Sequence, residues 1–276
     1  MRLFVLVTLT MTAFAANSVL NRIGVARFGM DPLGFAAIRV IAGAGMLWLL
    51  IALRSKSAPT VFTRKRLAGA ASLATYMIGF SWAYQGLDAG FGALILFGAL
   101  QVVIFGWAIV EKQPIAPLRW LGVTLSLIGL CVLLWPTQSS PTPLVSVAAM
   151  IAAAVGWGAY TLLGRRETDP LGATASNFLL CVPLVAIGLL DMGAVPMMGI
   201  ATAVTAGALT SGLGYALWYQ ILPKLATPVA GTAQLSVPVI AVGFGALFLG
   251  EPISARMVVA GILVLGGIGL SLITQR

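Results

Sequence analysis

Residues 89–110 read AGFGALILFGALQVVIFGWAIV, an apolar run without one charged side chain. A helix crossing a ~30 Å hydrocarbon core needs roughly 20 such residues. A buried strand is the other home for so much Leu, Ile and Val, but strands end within about ten residues. The run also lacks the period-two alternation of an outer-membrane barrel strand. It is therefore a membrane-spanning helix. Similar runs recur at 67–87, 225–250 and 257–275. Residues 120–164 are about twice as long, with Pro136, Pro141 and Pro143 near the middle, so they read as two spans and a tight turn. Only 8% of the 276 residues are charged and 60% are hydrophobic; a water-soluble domain carries about 25% charged residues. The fold class is an all-α integral membrane protein.

Ten transmembrane helices are expected, at 3–25, 32–53, 67–87, 90–110, 117–135, 144–164, 170–190, 196–222, 227–249 and 254–273. Several begin at proline, which suits a first helical turn whose N–H has no partner in any case. Arg54, Lys56, Arg64, Lys65 and Arg66 crowd the loop after the second span, which makes that loop cytoplasmic. Threading from there puts Lys112, Arg119, Arg165, Arg166, Lys224 and both termini on the same side. The formal net charge of +9 follows from this inside bias and implies no nucleic-acid partner. Arg2 and residues 3–15 have the outline of a signal peptide ending Ala13-Phe14-Ala15, but the apolar stretch runs on towards Ile23, so a retained first span is expected.

Three short matches recur in order. Asp31-Pro32-Leu33-Gly34 returns as Asp169-Pro170-Leu171-Gly172, Tyr84-Gln85 as Tyr219-Gln220, and Glu111 as Glu251-Pro252, at offsets of 138, 135 and 140 residues. One repeat is thus about five spans long, with residues 1–135 as the first, 136–143 as linker and 144–276 as the second. An odd number of spans places matching points on opposite faces. The expectation is an inverted-topology repeat, the architecture that supports alternating access.

With those matches in view, the chain resembles the drug/metabolite transporter superfamily, EamA type. The resemblance rests on Asn17-Ser18 and Arg22, Pro32 with Arg39, Glu111, residues 237–239 and 249–252, and glycines such as Gly122, Gly129, Gly261, Gly266 and Gly267. Within that superfamily the chain most resembles the YddG-type amino-acid exporters. The resemblance implies export of small organic solutes, aromatic or other neutral amino acids and related metabolites, through a central cavity. It also implies a multi-pass protein of the bacterial inner membrane, monomeric or weakly dimeric, with no cofactor. Multidrug or cationic-compound efflux is the alternative within the same fold.

Candidate solute contacts are the polar and aromatic side chains at mid-span. Asn17 and Asn21 share a helix face, and each could bind solute or bridge helices. Tyr76, Phe80 and Tyr84 form one stripe, and Ser211, Tyr215 and Tyr219 another in the same register, with Trp218 beside it. Trp157 and Tyr160 add aromatic surface between Gly156 and Gly158. Such stripes pack cores as readily as they line cavities, and Tyr84, Trp218 and Tyr219 could equally sit in an interfacial belt. Gln101 and Gln234 are ligands or helix glue. Pro183, Pro228 and Pro238 interrupt spans and are candidate hinges. Arg39, about 12 Å deep, reads as a structural charge; its repeat partner is Asn177.

All seven acids lie at or near span ends and histidine is absent, so no mid-membrane proton carrier is expected and export is read as gradient-driven. Cys131 and Cys181 fall inside spans, and no metal motif is present. An intramembrane enzyme would need a Ser–His pair, paired aspartates or a metal site, and none is found. A channel would favour a symmetry axis along the pore.

Overall fold

The computed structural model describes residues 1–54, 59–135, 143–164, 167–190, 192–193, 195–221, 224–225 and 233–273. The described residues are helical or irregular, with no strand among them. Helix α1 runs Arg2–Arg27, with Ile23–Arg27 wound as a π-helix. α2 is Pro32–Leu53, α3 Arg64–Ala83, α4 Ala89–Val110 and α5 Pro117–Leu134. α6 is Leu144–Gly164, and α7 is Pro170–Leu189 with a 3-10 end at Ala186–Leu189. α8 is Met197–Ile221 with a central π segment, Ala206–Leu213. α9 is Ser236–Leu249, ending in the π turn Gly245–Leu249, and α10 is Ala255–Ile273. Eight of these are long and apolar enough to cross a membrane. α3 falls short on hydropathy, opening on Arg64, Lys65 and Arg66 and diluted further by Ser, Thr, Tyr and Gly, and α9 falls short on length.

The twin Asp-Pro-Leu-Gly motifs build twin helix starts. Asp31 caps α2 by accepting from the Gly34 N–H at 2.8 Å, and Asp169 caps α7 by accepting from Gly172 N–H at 3.2 Å. In each case the proline occupies the first turn. α2 and α7 pack against each other and run antiparallel: Gly34 lies against Gly188, while Gly172 lies against Pro59. The two caps therefore sit at opposite ends of that pair. α3 packs along α6 and α7, α5 along α10, and α1 against α8 and α9. Ser126 of α5 donates to the Val264 carbonyl of α10, satisfying a hydroxyl that lipid could not.

Pro183 lies inside α7, and three residues later the α-helix gives way to the 3-10 segment. Pro238 stands in the first turn of α9, just after the break at Leu235, so its missing N–H leaves the Gln234 carbonyl without a helical partner. Pro228 and most of the linker, residues 136–142, lie outside the described residues.

Candidate functional site

Arg39 enters the protein from the middle of α2 and is 0% exposed. It does not snorkel to the interface. Here α2 and α8 approach very closely: a Cβ on Gly207 would run into the Arg39 carbonyl oxygen. Gly207 belongs to the π segment of α8, as do Thr210 and Ser211. The guanidinium Nε donates to Ser211 Oγ at 3.0 Å, and Nη2 lies 3.4 Å from the Tyr76 hydroxyl. Its carbon sits 5.5 Å from the Tyr76 ring centre and 5.2 Å from that of Phe80, a distance at which ring faces attract a cation. Among the described residues no carboxylate pairs with Arg39, and its Nη1 has no hydrogen-bond partner.

Ser211 Oγ in turn lies 3.4 Å from Asn17 Oδ1, towards which the Thr210 hydroxyl also points. A polar chain thus runs Arg39, Ser211, Asn17 across α2, α8 and α1. Asn21, one turn further along α1, is wholly occupied in helix contacts: its Nδ2 donates to the Asn17 carbonyl at 2.9 Å and its Oδ1 accepts from Ser81 at 2.8 Å.

The aromatic candidates meet around the same point. Tyr76 packs on Phe80 with ring centres 5.2 Å apart and on Trp157 at 5.1 Å. Trp157 bridges to Tyr215 at 5.3 Å and stacks on Tyr160 at 5.8 Å. Phe14 and Phe178, which the stripes did not flag, close the ring set against Tyr215 at 5.6 and 5.8 Å. Phe178 adjoins Asn177, the repeat partner of Arg39, and that adjacency was the available signal. Tyr84 and Trp218 are buried and lie inside the bundle, so a belt at the membrane surface is not their place. Gln101 and Gln234 are half-buried and take no part in the cluster.

Two ionic clusters lie at opposite ends. At one, Arg22 donates to the Tyr84 and Gln85 carbonyls at 3.1 Å and pairs with Asp88 at 3.1 Å and Glu251 at 3.5 Å. Gly250 supplies the left-handed turn, φ 68°, that delivers Glu251, whose second oxygen accepts from the Ala89 N–H at 2.8 Å. Burial and the nearby Asp88 push the Glu251 carboxyl up, against the pull of the Ala89 N–H and Arg22. At the other end, Arg66 grips Glu167 with two parallel contacts of 3.0 Å, and Lys65 joins the same oxygen. Burial alone would raise Glu167, but its bonds to Arg66 and Lys65 prevail and hold it below the usual carboxylate value. A narrow cleft opens here, walled by Lys65, Arg66, Tyr160, Glu167, Asn177 and Tyr219.

Long apolar helices enclosing a buried polar and aromatic centre around Arg39, with ion pairs at the two ends, define a multi-pass membrane transporter of small solutes. The relatives place it further. The EamA-like transporter family model matches residues 144–273. A protein of Pseudomonas aeruginosa bearing the name uncharacterized is 43% identical over 98% of this chain and 94% of its own length. The threonine/homoserine exporter RhtA of Salmonella typhimurium is 26% identical over 82% of this chain and 77% of its own. The uncharacterized transporter YwfM of Bacillus subtilis is 26% identical over 81% and 78%. A crystal structure superposes with a TM-score of 0.68 at 17% identity, over 98% of this chain and 96% of that one. The chain belongs to the EamA-like transporter family of the drug/metabolite transporter superfamily.

Proposed function

We propose that the protein exports amino acids with aromatic or other neutral side chains, and related amphipathic metabolites, from the cytoplasm across a bacterial inner membrane by alternating access. The observation that carries this reading is the closed centre: Arg39, Ser211 and Asn17 set among Tyr76, Phe80, Trp157 and Tyr215, with an ion cluster at either end. Rings and amide groups together suit a solute with one apolar and one polar part. The antiparallel α2–α7 pair, with matching aspartate caps at opposite ends, supports two five-helix units inserted in opposite senses, residues 1–135 and 144–276. Together with the basic residues Arg54, Arg64, Lys65 and Arg66 between the second and third helices, it supports ten crossings with both termini cytoplasmic. The unneutralised guanidinium at the centre works against a cationic drug as the preferred cargo.

Vesicles carrying purified protein test this directly. Loading them with each neutral amino acid in turn should produce saturable counterflow of the labelled compound for at least one, with or without a pH gradient. Conductance in place of counterflow, or absence of exchange across the whole set, would overturn the reading. Strict dependence on the proton gradient would overturn its uncoupled form.

A further inference from the structure

A cation in the middle of a membrane protein is expensive to bury, and the usual remedy is a carboxylate or a full set of acceptors. Arg39 has neither. Ser211 and the Tyr76 hydroxyl occupy Nε and Nη2, two rings cover the guanidinium face, and Nη1 is left without a partner at 0% exposure. An interior that only needed Arg39 to join helices would satisfy that nitrogen, because an unpaired buried donor costs free energy without return. A group that arrives from outside would satisfy it instead.

We propose that Arg39 is the anion anchor of the transport site, with Nη1 hydrogen-bonded to the carboxylate of the solute. This rests on the exporter reading above and narrows it to carboxylate-bearing compounds whose apolar part lies against Tyr76, Phe80, Trp157 and Tyr215. Three features fit. The polar chain through Ser211 to Asn17 fixes the direction in which the guanidinium points. The carboxylate gives the buried guanidinium the partner that no carboxylate among the described residues supplies, so its charge is paired in the loaded centre and unpaired in the empty one. A continuous aromatic path leads to it from the cleft: Tyr160 lines the cleft and stacks on Trp157, which touches Tyr76, whose hydroxyl meets Arg39. Among the described residues, Arg39 is the next cation along that path after Lys65 and Arg66 at the cleft mouth.

The test compares each of a set of neutral L-amino acids with its own amide. The amide keeps the ammonium and side chain and replaces the carboxylate. Thermal stabilisation of the detergent-purified protein reads binding, counterflow in vesicles reads transport, and sodium chloride at matched ionic strength is the control. For at least one pair, the acid should stabilise at a concentration about ten-fold or more below that of its amide, the difference expected for a charge-assisted hydrogen bond. Arg39→Gln should shrink that ratio towards one, and Arg39→Lys should retain part of it. Amides as effective as acids, stabilisation by neither, or chloride matching the acids would each overturn the anchor in wild-type protein, whether or not the variants fold. Acids that bind without counterflow would sink the exporter reading and leave the anchor standing. Counterflow indifferent to acid or amide would do the reverse.

Discussion

Asn17 and Asn21 look interchangeable in sequence, one helical turn apart on the same face, yet their surroundings assign them different work. Both polar ends of Asn21 are spent on the Asn17 carbonyl and Ser81. Asn21→Ala should therefore lower stability by about 1 kcal/mol or less, the scale of an interhelical bond in a membrane. It should leave the half-saturating solute concentration unchanged. Asn17 aims Ser211, and Ser211 holds Arg39, so Asn17→Ala should raise that concentration while the melting temperature of the purified protein falls only slightly. Trp157 touches Tyr76, Tyr160 and Tyr215. Its replacement by Ala should weaken solute binding by up to about ten-fold, the worth of one aromatic contact pair, while Trp157→Phe should recover much of the loss. Saturation curves in vesicles separate these cases.

Elements were the scale at which the sequence was most legible. Apolar run length and the Asp-Pro starts place α2 and α7 where they are found, because a side-chain cap and a proline act locally. The aromatic stripes of α3 and α8 also meet, through Trp157, since helical spacing alone aligns each stripe. What sequence could not show were the π segments in α1, α8 and α9, which arise from packing between helices and not from any local preference. For the same reason the sequence showed Arg39 at depth but not its unpartnered nitrogen, which depends on an α8 contact 172 residues away. That contact depends on Gly207. Gly207→Ala drives a methyl into the α2 backbone and should destabilise the protein by about 1–3 kcal/mol. Gly45→Ala, on the same α2 but with nothing within 4 Å, should be neutral or stabilising. Paired thermal melts of the two variants check this.

For the molecule as a whole, the two ion clusters give way to acid at different pH values, because their carboxylates are shifted in opposite directions. Glu251 takes up a proton at higher pH than an ordinary carboxylate, because burial and Asp88 disfavour its charge. Acidification thus weakens its hold on Arg22 while Glu167 is still ionised. The stabilisation from Glu167 is present above the ordinary value of 4.5 and is lost only as pH falls through its lowered one. As pH falls towards the ordinary carboxylate value of 4.5, cysteine placed at Gln85 should accordingly gain reactivity towards an impermeant thiol reagent relative to a permanently exposed cysteine at the same pH, and cysteine placed at Leu163 should not. Glu251→Gln should give the first effect at neutral pH. The π segment of α8 adds a second moving part. A π turn holds one residue more than the α-helical turn it replaces, and if Ala206–Leu213 annealed to regular winding, everything beyond it would swivel by roughly 100° and advance about 1.5 Å along the axis. Thr210 and Ser211 would turn away from α1 and α2, and Tyr215 would leave Trp157. One helical dislocation could then dissolve the grip on the cargo in the same stroke that opens its exit.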